Sequence, residues 1–140
     1  MKLTADKPQL DLYPYAKIHW LEDVKAVRVE LFDLFMSLDD FINVMNHVLE
    51  FIKEYKSEIW IADSYNSEGV FSKEIQEYIS NELIATGVSI GVKKVLTVMP
   101  KSYGLANMTT KNWQARVRKA NAFVMEEFPD IETCKRWISS

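Results

Sequence analysis

Cysteine is nearly absent: Cys134 stands alone in 140 residues, which excludes an internal disulfide and any metal site built on several thiolates. Glycine and proline are scarce, four of each, so the chain has little material for a linker. It reads as a single domain over 1–140 with an irregular lead-in over 1–13. Histidine occurs twice, as His19 and His47, and neither has a Cys, His or carboxylate at ligand spacing within its own element, so a zinc site is not supported. No apolar run approaches the roughly 18 residues of a membrane span, and Met1 to Lys7 lacks the apolar core of a secretion signal. A cytoplasmic location and no membrane span are the expectations.

The motifs of common enzyme classes are missing as well. There is no Gly-x-Ser-x-Gly elbow, no Gly-x-x-x-x-Gly-Lys-Ser/Thr phosphate loop and no Gly-x-Gly-x-x-Gly fingerprint. The adjacent carboxylates Glu22-Asp23 and Asp39-Asp40 are explained by a turn and by helix capping. The expectation is a protein that is not an enzyme and uses no cofactor. Acidic residues are missing from Leu83 through Met125, a window that holds Lys93, Lys94, Lys101, Lys111, Arg116, Arg118 and Lys119. Such a one-sign stretch is a solvated face or an anion-attracting surface, here Lys93, Lys94, Lys111, Arg116, Arg118 and Lys119. A sequence pI near 5.4 and the lack of a recognition motif argue against nucleic acid.

What the chain does contain is organised around Glu58 to Pro100. Ile59-Trp60-Ile61-Ala62 is apolar throughout and closes on Asp63, and Val95-Leu96-Thr97-Val98-Met99 closes on Pro100. Strands of this kind are covered on both faces. A polar loop and a helical pattern lie between them, so they form a βαβ unit with parallel strands. Ser72 is the expected helix cap, and Phe71, Ile75, Tyr78, Ile79 and Leu83 mark the buried stripe. Periodicity leaves the helix end open between Gly87 and Gly91, since either glycine suits a C-terminal cap.

Before this unit, Tyr15 to Trp20 and Val24 to Leu31 alternate and form an antiparallel hairpin. Val27, Val29 and Leu31 share one side, while Arg28 and Glu30 lie on the other, which is expected to face water. Ser37 opens a helix of roughly 18 residues in a capping-box pattern with Asp40, long enough to cross the sheet at about 1.5 Å per residue. Leu38, Phe41, Met45, Val48, Phe51, Ile52 and Tyr55 form its inner stripe. After Pro100, Thr109 or Thr110 caps a short helix carrying Trp113 and Val117. Ala122 to Met125 is the last strand, and Asp130 caps a last helix with Ile131, Cys134, Trp137 and Ile138 inward. The expected fold class is α/β, a single mixed sheet in the order ββαβαβαβα with an N-terminal antiparallel hairpin.

Trp60-Ile61-Ala62-Asp63, Ser72 with Gln76-Glu77-Tyr78-Ile79, Gly91-Val92-Lys93-Lys94-Val95 up to Pro100, and Phe128 through Trp137-Ile138 together resemble the STAS-like proteins. These are relatives of bacterial anti-sigma-factor antagonists and of the cytoplasmic domains of sulfate transporters. The resemblance covers most of the chain after the hairpin and implies that the second helix runs to Ile90, with Gly91 as its cap. In signalling members the loop after the corresponding strand carries Asp-Ser-Ser-Gly, whose serine is phosphorylated to release a partner. Here that loop is Asp63-Ser64-Tyr65-Asn66-Ser67-Glu68-Gly69, more widely spaced, with Tyr65-Asn66 interposed.

Two functions follow as expectations. The first is a non-enzymatic STAS-like regulatory module that meets a protein partner or a second copy of itself through Asp63, Ser64, Ser67 and Ser72. A phosphate on Ser64 or Ser67 would add close to two negative charges there. The alternative is a carrier of a small apolar or anionic ligand, held between sheet and helices near Trp60 and Trp113 with the basic segment as its anion side.

Overall fold

Six strands lie side by side in the order in which they occur along the chain in the computed structural model, which describes residues 8–102 and 104–140. They are β1 (Pro8–Leu12), β2 (Ala16–Leu21), β3 (Ala26–Leu31), β4 (Ile59–Asp63), β5 (Lys94–Val98) and β6 (Val124–Phe128). The first three run antiparallel, Ala16 opposite Leu31 and Leu21 opposite Ala26 in the β2–β3 hairpin. From β3 to β6 the pairing is parallel, with Ala62 beside Val29 on one side and Thr97 on the other. The architecture is therefore α/β with a mixed sheet that begins in an antiparallel hairpin.

The parallel steps need crossovers, and each is a helix: α1 (Leu38–Tyr55), α2 (73–89) and α3 (Leu105–Ala120). Crossovers of one hand between strands that advance in one direction fall on the same side of the sheet. The main core agrees, joining Phe41 and Val48 of α1, Ile75 and Leu83 of α2, and Trp113 and Val117 of α3 to Val27, Val29, Ala62 and Val95. The last helix, α4 (Ile131–Ser139), covers the opposite face, where Cys134 packs with Leu21, Ala26, Ile61, Leu96, Val98 and Phe128.

Local chemistry sets the helix boundaries. Ser37 Oγ accepts the Asp40 N–H at 3.1 Å, Ser72 Oγ accepts that of Ile75 at 3.2 Å, and Asp130 Oδ1 accepts that of Thr133 at 2.7 Å. Helix α2 is Lys73–Tyr78, a π-helical turn Ile79–Leu83 and Ile84–Ser89 in unbroken succession. It ends as a left-handed Gly91 (φ +99°) brings the Val92 N–H to the Gly87 carbonyl, 3.0 Å away. Gly91, and not Gly87, is thus the cap.

Four expectations need correction. Residues 8–12 of the lead-in form β1, an edge strand whose Leu10 and Leu12 pack on the main core; Pro8-Gln9-Leu10-Asp11-Leu12 does alternate, but over five residues it is a short signal. The rest of the lead-in before Pro8 lies outside the described residues. The order is therefore βββαβαβαβα. Helix α3 begins at Leu105, a full turn before Thr109 and Thr110, which are buried within it; its cap is Gly104, which has no side chain to reveal it. Strand β6 is shifted to Val124–Phe128, because pairing with β5 places Val124 opposite Lys94 and carries the ladder to Phe128. Finally, the Arg28 side of the hairpin does not face water.

Candidate functional site

The loop at the carboxyl end of β4 is pinned from several directions. Asp63 is 2% exposed, and both Nε and Nη2 of Arg28 donate to its Oδ2, at 2.9 and 2.7 Å. Its Oδ1 accepts the Tyr65 N–H at 3.0 Å, a turn that starts the loop. Ser64 extends the parallel ladder by donating its N–H to the Val98 carbonyl, and Ser67 Oγ donates to the Ser64 carbonyl at 2.7 Å. Leu34 and Glu68 then exchange with the preceding loop, Leu34 N–H to Glu68 O and Glu68 N–H to Phe32 O. Gly69 (φ +97°) lies under the Phe35 ring, where a Cβ would stand 2.7 Å from a ring carbon.

Of the four proposed contact residues, only Ser72 is exposed. Asp63, Ser64 and Ser67 are walled in, so neither serine hydroxyl is open to a kinase in this conformation. The loop instead shows solvent Tyr65, Asn66 and Glu68. The sequence places the serines at the right end of the right strand; it gives no sign that the neighbouring loop folds over them.

Arg28 belongs to a larger charged group on the α4 side of the sheet. Its Nη2 lies 3.7 Å from Glu30 Oε2, and Glu30 Oε1 meets His19 Nε2 at 2.9 Å. That hydrogen bond from His19, aided by the Arg28 charge against the cost of burial, holds the Glu30 carboxyl below its ordinary 4.5. Cys134 lies near the same group, and burial, reinforced by Asp63, pushes its thiol up to about 12. His19 is 3% exposed and Arg28 9%. The spacing that suggested a wet hairpin face was that of a buried ion pair, and alternation alone does not distinguish them, since Arg28 finds its partner 35 residues away.

The other face of the sheet holds an apolar cavity of about 80 Å³. Trp60, Ala62 and Val95 floor it, Phe41, Met45 and Phe71 close one side, and Trp113, Val117 and Phe123 the other. Its roof is α2, through Ile79, Leu83, Ile84 and Gly87. The π turn of that helix spans Ile79–Leu83, so the widened stretch lies against the void. Gly87 is buried with only Phe123 Cζ near, 3.6 Å from where a Cβ would be. Nearby, on the same side of the molecule, Thr97, Thr109 and Gln114 are buried, and Thr97 Oγ1, Thr109 Oγ1 and Gln114 Nε2 have no hydrogen-bond partner among the described residues.

The predicted basic residues differ in their surroundings. Lys93 Nζ pairs with Glu58 Oε2 at 3.1 Å, and Lys94 Nζ stands 5.4 Å above the Trp137 ring. On α3, Lys111 and Arg118 fall seven residues apart on one side of the helix, while Arg116 and Lys119 line a groove between α2 and α3. Arg116 is held there by Ser80 Oγ at 2.8 Å, Asn112 Oδ1 at 3.2 Å and Gln76 Oε1 at 3.5 Å. Among the described residues no group of three or more His, Cys, Asp or Glu is placed to hold a metal ion, and no helix is long and apolar enough to cross a membrane. The chain matches none of the family models, curated proteins or solved structures with which it was compared.

Proposed function

We propose that the protein binds a small, mainly apolar molecule between the sheet and helices α1 to α3. The observation that carries this is the cavity beneath the π turn, walled by Trp60 and Trp113. Interiors are packed to crystal density, with few voids larger than a water molecule. At about 24 cal/mol per Å³, leaving roughly 80 Å³ unfilled costs about 2 kcal/mol of stability. A ligand that fills the space recovers that loss, and the apolar lining favours it over water.

The resting volume is about half that of the ~150 Å³ cavity known to admit benzene. The occupant is therefore a short alkyl group, or a ring admitted as α2 shifts. Trp60 and Trp113 give a direct assay: titration with short alcohols should change the tryptophan emission saturably. Ala62→Val, which adds two methyl groups to the cavity floor, should abolish the change while the fold persists by circular dichroism. No saturable change in wild type at millimolar concentrations would reject ligand binding.

A second proposal is the STAS-like regulatory module, suggested by the sequence motifs and by the order of elements. What favours it is the rim at the carboxyl ends of the parallel strands, where Phe35 (65% exposed), Tyr65 (39%), Leu105 (54%) and Met108 (68%) present apolar surface on loops and a helix start. Contact would then use these side chains and Ser72 in place of the buried Ser64 and Ser67. Sedimentation of wild type against Phe35→Ser and Met108→Ser tests self-association through this rim; a monomer at every concentration removes the second copy as its partner.

A further inference from the structure

The groove that carries Arg116 lies beside the cavity, and the two share a wall. Along α2, Leu83 and Gly87 face the cavity, while Ser80 and Ile84, a turn apart, face the groove; along α3, Trp113 and Val117 face the cavity, while Asn112 and Arg116 face the groove. Side chains four residues apart share a helix face, so these are two adjacent strips of the same helix pair. Ile84 belongs to both spaces and is only half-buried. Among the described residues it is thus the one side chain that both spaces share.

Among the described residues, the half-buried Arg116 guanidinium has neutral partners alone, a hydroxyl and two amides. Those three hydrogen bonds fix the plane of the fork without neutralising its charge. Lys119 adds a second cation on the same groove wall; α2, the facing wall, carries Glu74, Glu77 and Glu82, but none of them is among the described residues that line the groove. A preorganised guanidinium pairs with a carboxylate through parallel hydrogen bonds, at an entropic cost already met by the groups that hold it.

We infer that the ligand of the cavity is a short-chain organic acid, its apolar body under the π turn and its carboxylate past Ile84 on Arg116 and Lys119. This rests on the apolar-ligand proposal and adds the charge of the head group and its seat. A carboxylate at this seam would also give Arg116 an acidic partner, which it does not have among the described residues.

The test compares hexanoate with hexanol, by tryptophan emission and calorimetry, on wild type, Arg116→Gln, Arg116→Lys and Lys119→Gln. The expected result is that hexanoate binds wild type at least tenfold more tightly than hexanol and that added salt narrows the gap. Arg116→Gln should remove the preference while its circular dichroism stays that of wild type; Arg116→Lys should keep part of it, and Lys119→Gln should lower it severalfold. Hexanol equal to hexanoate in wild type would overturn the anion seat and leave the apolar site standing. A preference that survives in an Arg116→Gln variant with wild-type circular dichroism would likewise overturn it. Failure of both compounds to bind would overturn the apolar site and this inference together.

Discussion

The two faces of the sheet solve the same covering problem in opposite ways. On the side of α1 to α3, apolar groups dominate and the packing is incomplete: a void, a π turn and a buried glycine meet at one place. On the side of α4 a smaller apolar cluster of Leu21, Ile61, Leu96, Phe128 and Cys134 covers part of the sheet, and Asp63, Arg28, Glu30 and His19, tied to one another, occupy another part. Apolar contact is nondirectional and tolerates a helix that slides or bulges, whereas a buried ion pair is intolerant of displacement. The first face is thus suited to admitting something, and the second to holding the β4 loop still.

The sharpest way to break this contrast is to remove one member of the buried pair. Asp63→Ala leaves Arg28, among the described residues, with only the longer contact to Glu30 and frees the Tyr65 N–H as well. Loss of one partner of a buried pair costs about 3–5 kcal/mol. Urea denaturation should show a loss of that order. A loss under about 1 kcal/mol would mean that the charged group is solvated and that the loop is held by its backbone bonds alone.

Cys134 reports on the same face without a change of sequence. With its thiol raised from 9.0 to about 12, the thiolate fraction at pH 8 falls by close to a thousandfold. Labelling by a disulfide reagent should therefore be much slower in the folded protein than in denaturant, since Cys134 is both buried and largely in its thiol form. Comparable rates in the two states would show that α4 detaches readily, and the asymmetry between the faces would be lost.

Much of the scaffold is legible in the residues themselves, for reasons that also explain where legibility ends. Ser37, Ser72 and Asp130 cap the helices they were expected to cap, because the signal is a side chain acting on backbone three residues away. The parallel strands β4 and β5 show as apolar runs because both faces are covered. Helix α3 is misread at its start, since Gly104 caps it with no side chain, and Thr110 instead donates back to the Ala106 carbonyl. The π turn has no sequence signature of its own. The ion pair of Arg28 with Asp63 depends on strand neighbours far apart in the chain, so no local pattern contains it. The candidate site divides in the same way: Trp60 and Trp113 could be named in advance from strand and helix phase, whereas burial of Ser64 and Ser67 follows from the packing of two distant loops.

On the opposite face, filling the void should sharpen the comparison by making the two sides alike. Gly87→Ala places a methyl at ordinary contact distance from Phe123 Cζ, 3.6 Å. It also replaces the poorest helix former short of proline with the best, a gain of about 1 kcal/mol. The variant should unfold at higher urea concentration and bind hexanol more weakly than wild type. Greater stability with unchanged binding would place the ligand elsewhere; lower stability would mean that the backbone at Gly87 needs freedom the helix conceals.

The smallest effect concerns acid. Glu30 titrates below its ordinary 4.5 in the folded chain, so its contribution to stability is complete above that value and is lost as pH falls through the lowered native one. Asp130 behaves likewise, held down chiefly by the Thr133 N–H at the start of α4, though on an exposed cap. Glu30→Gln should therefore flatten part of the stability decline below pH 4.5 and leave the part due to Asp130. Because Glu30 keeps some contact with water, 15% of its side chain, the change should be a fraction of that seen for Asp63→Ala. An acid limb of full slope in Glu30→Gln would assign the decline to carboxylates outside the charged group, and would mean that the hydrogen bond from His19 orients Glu30 without favouring its ionised form.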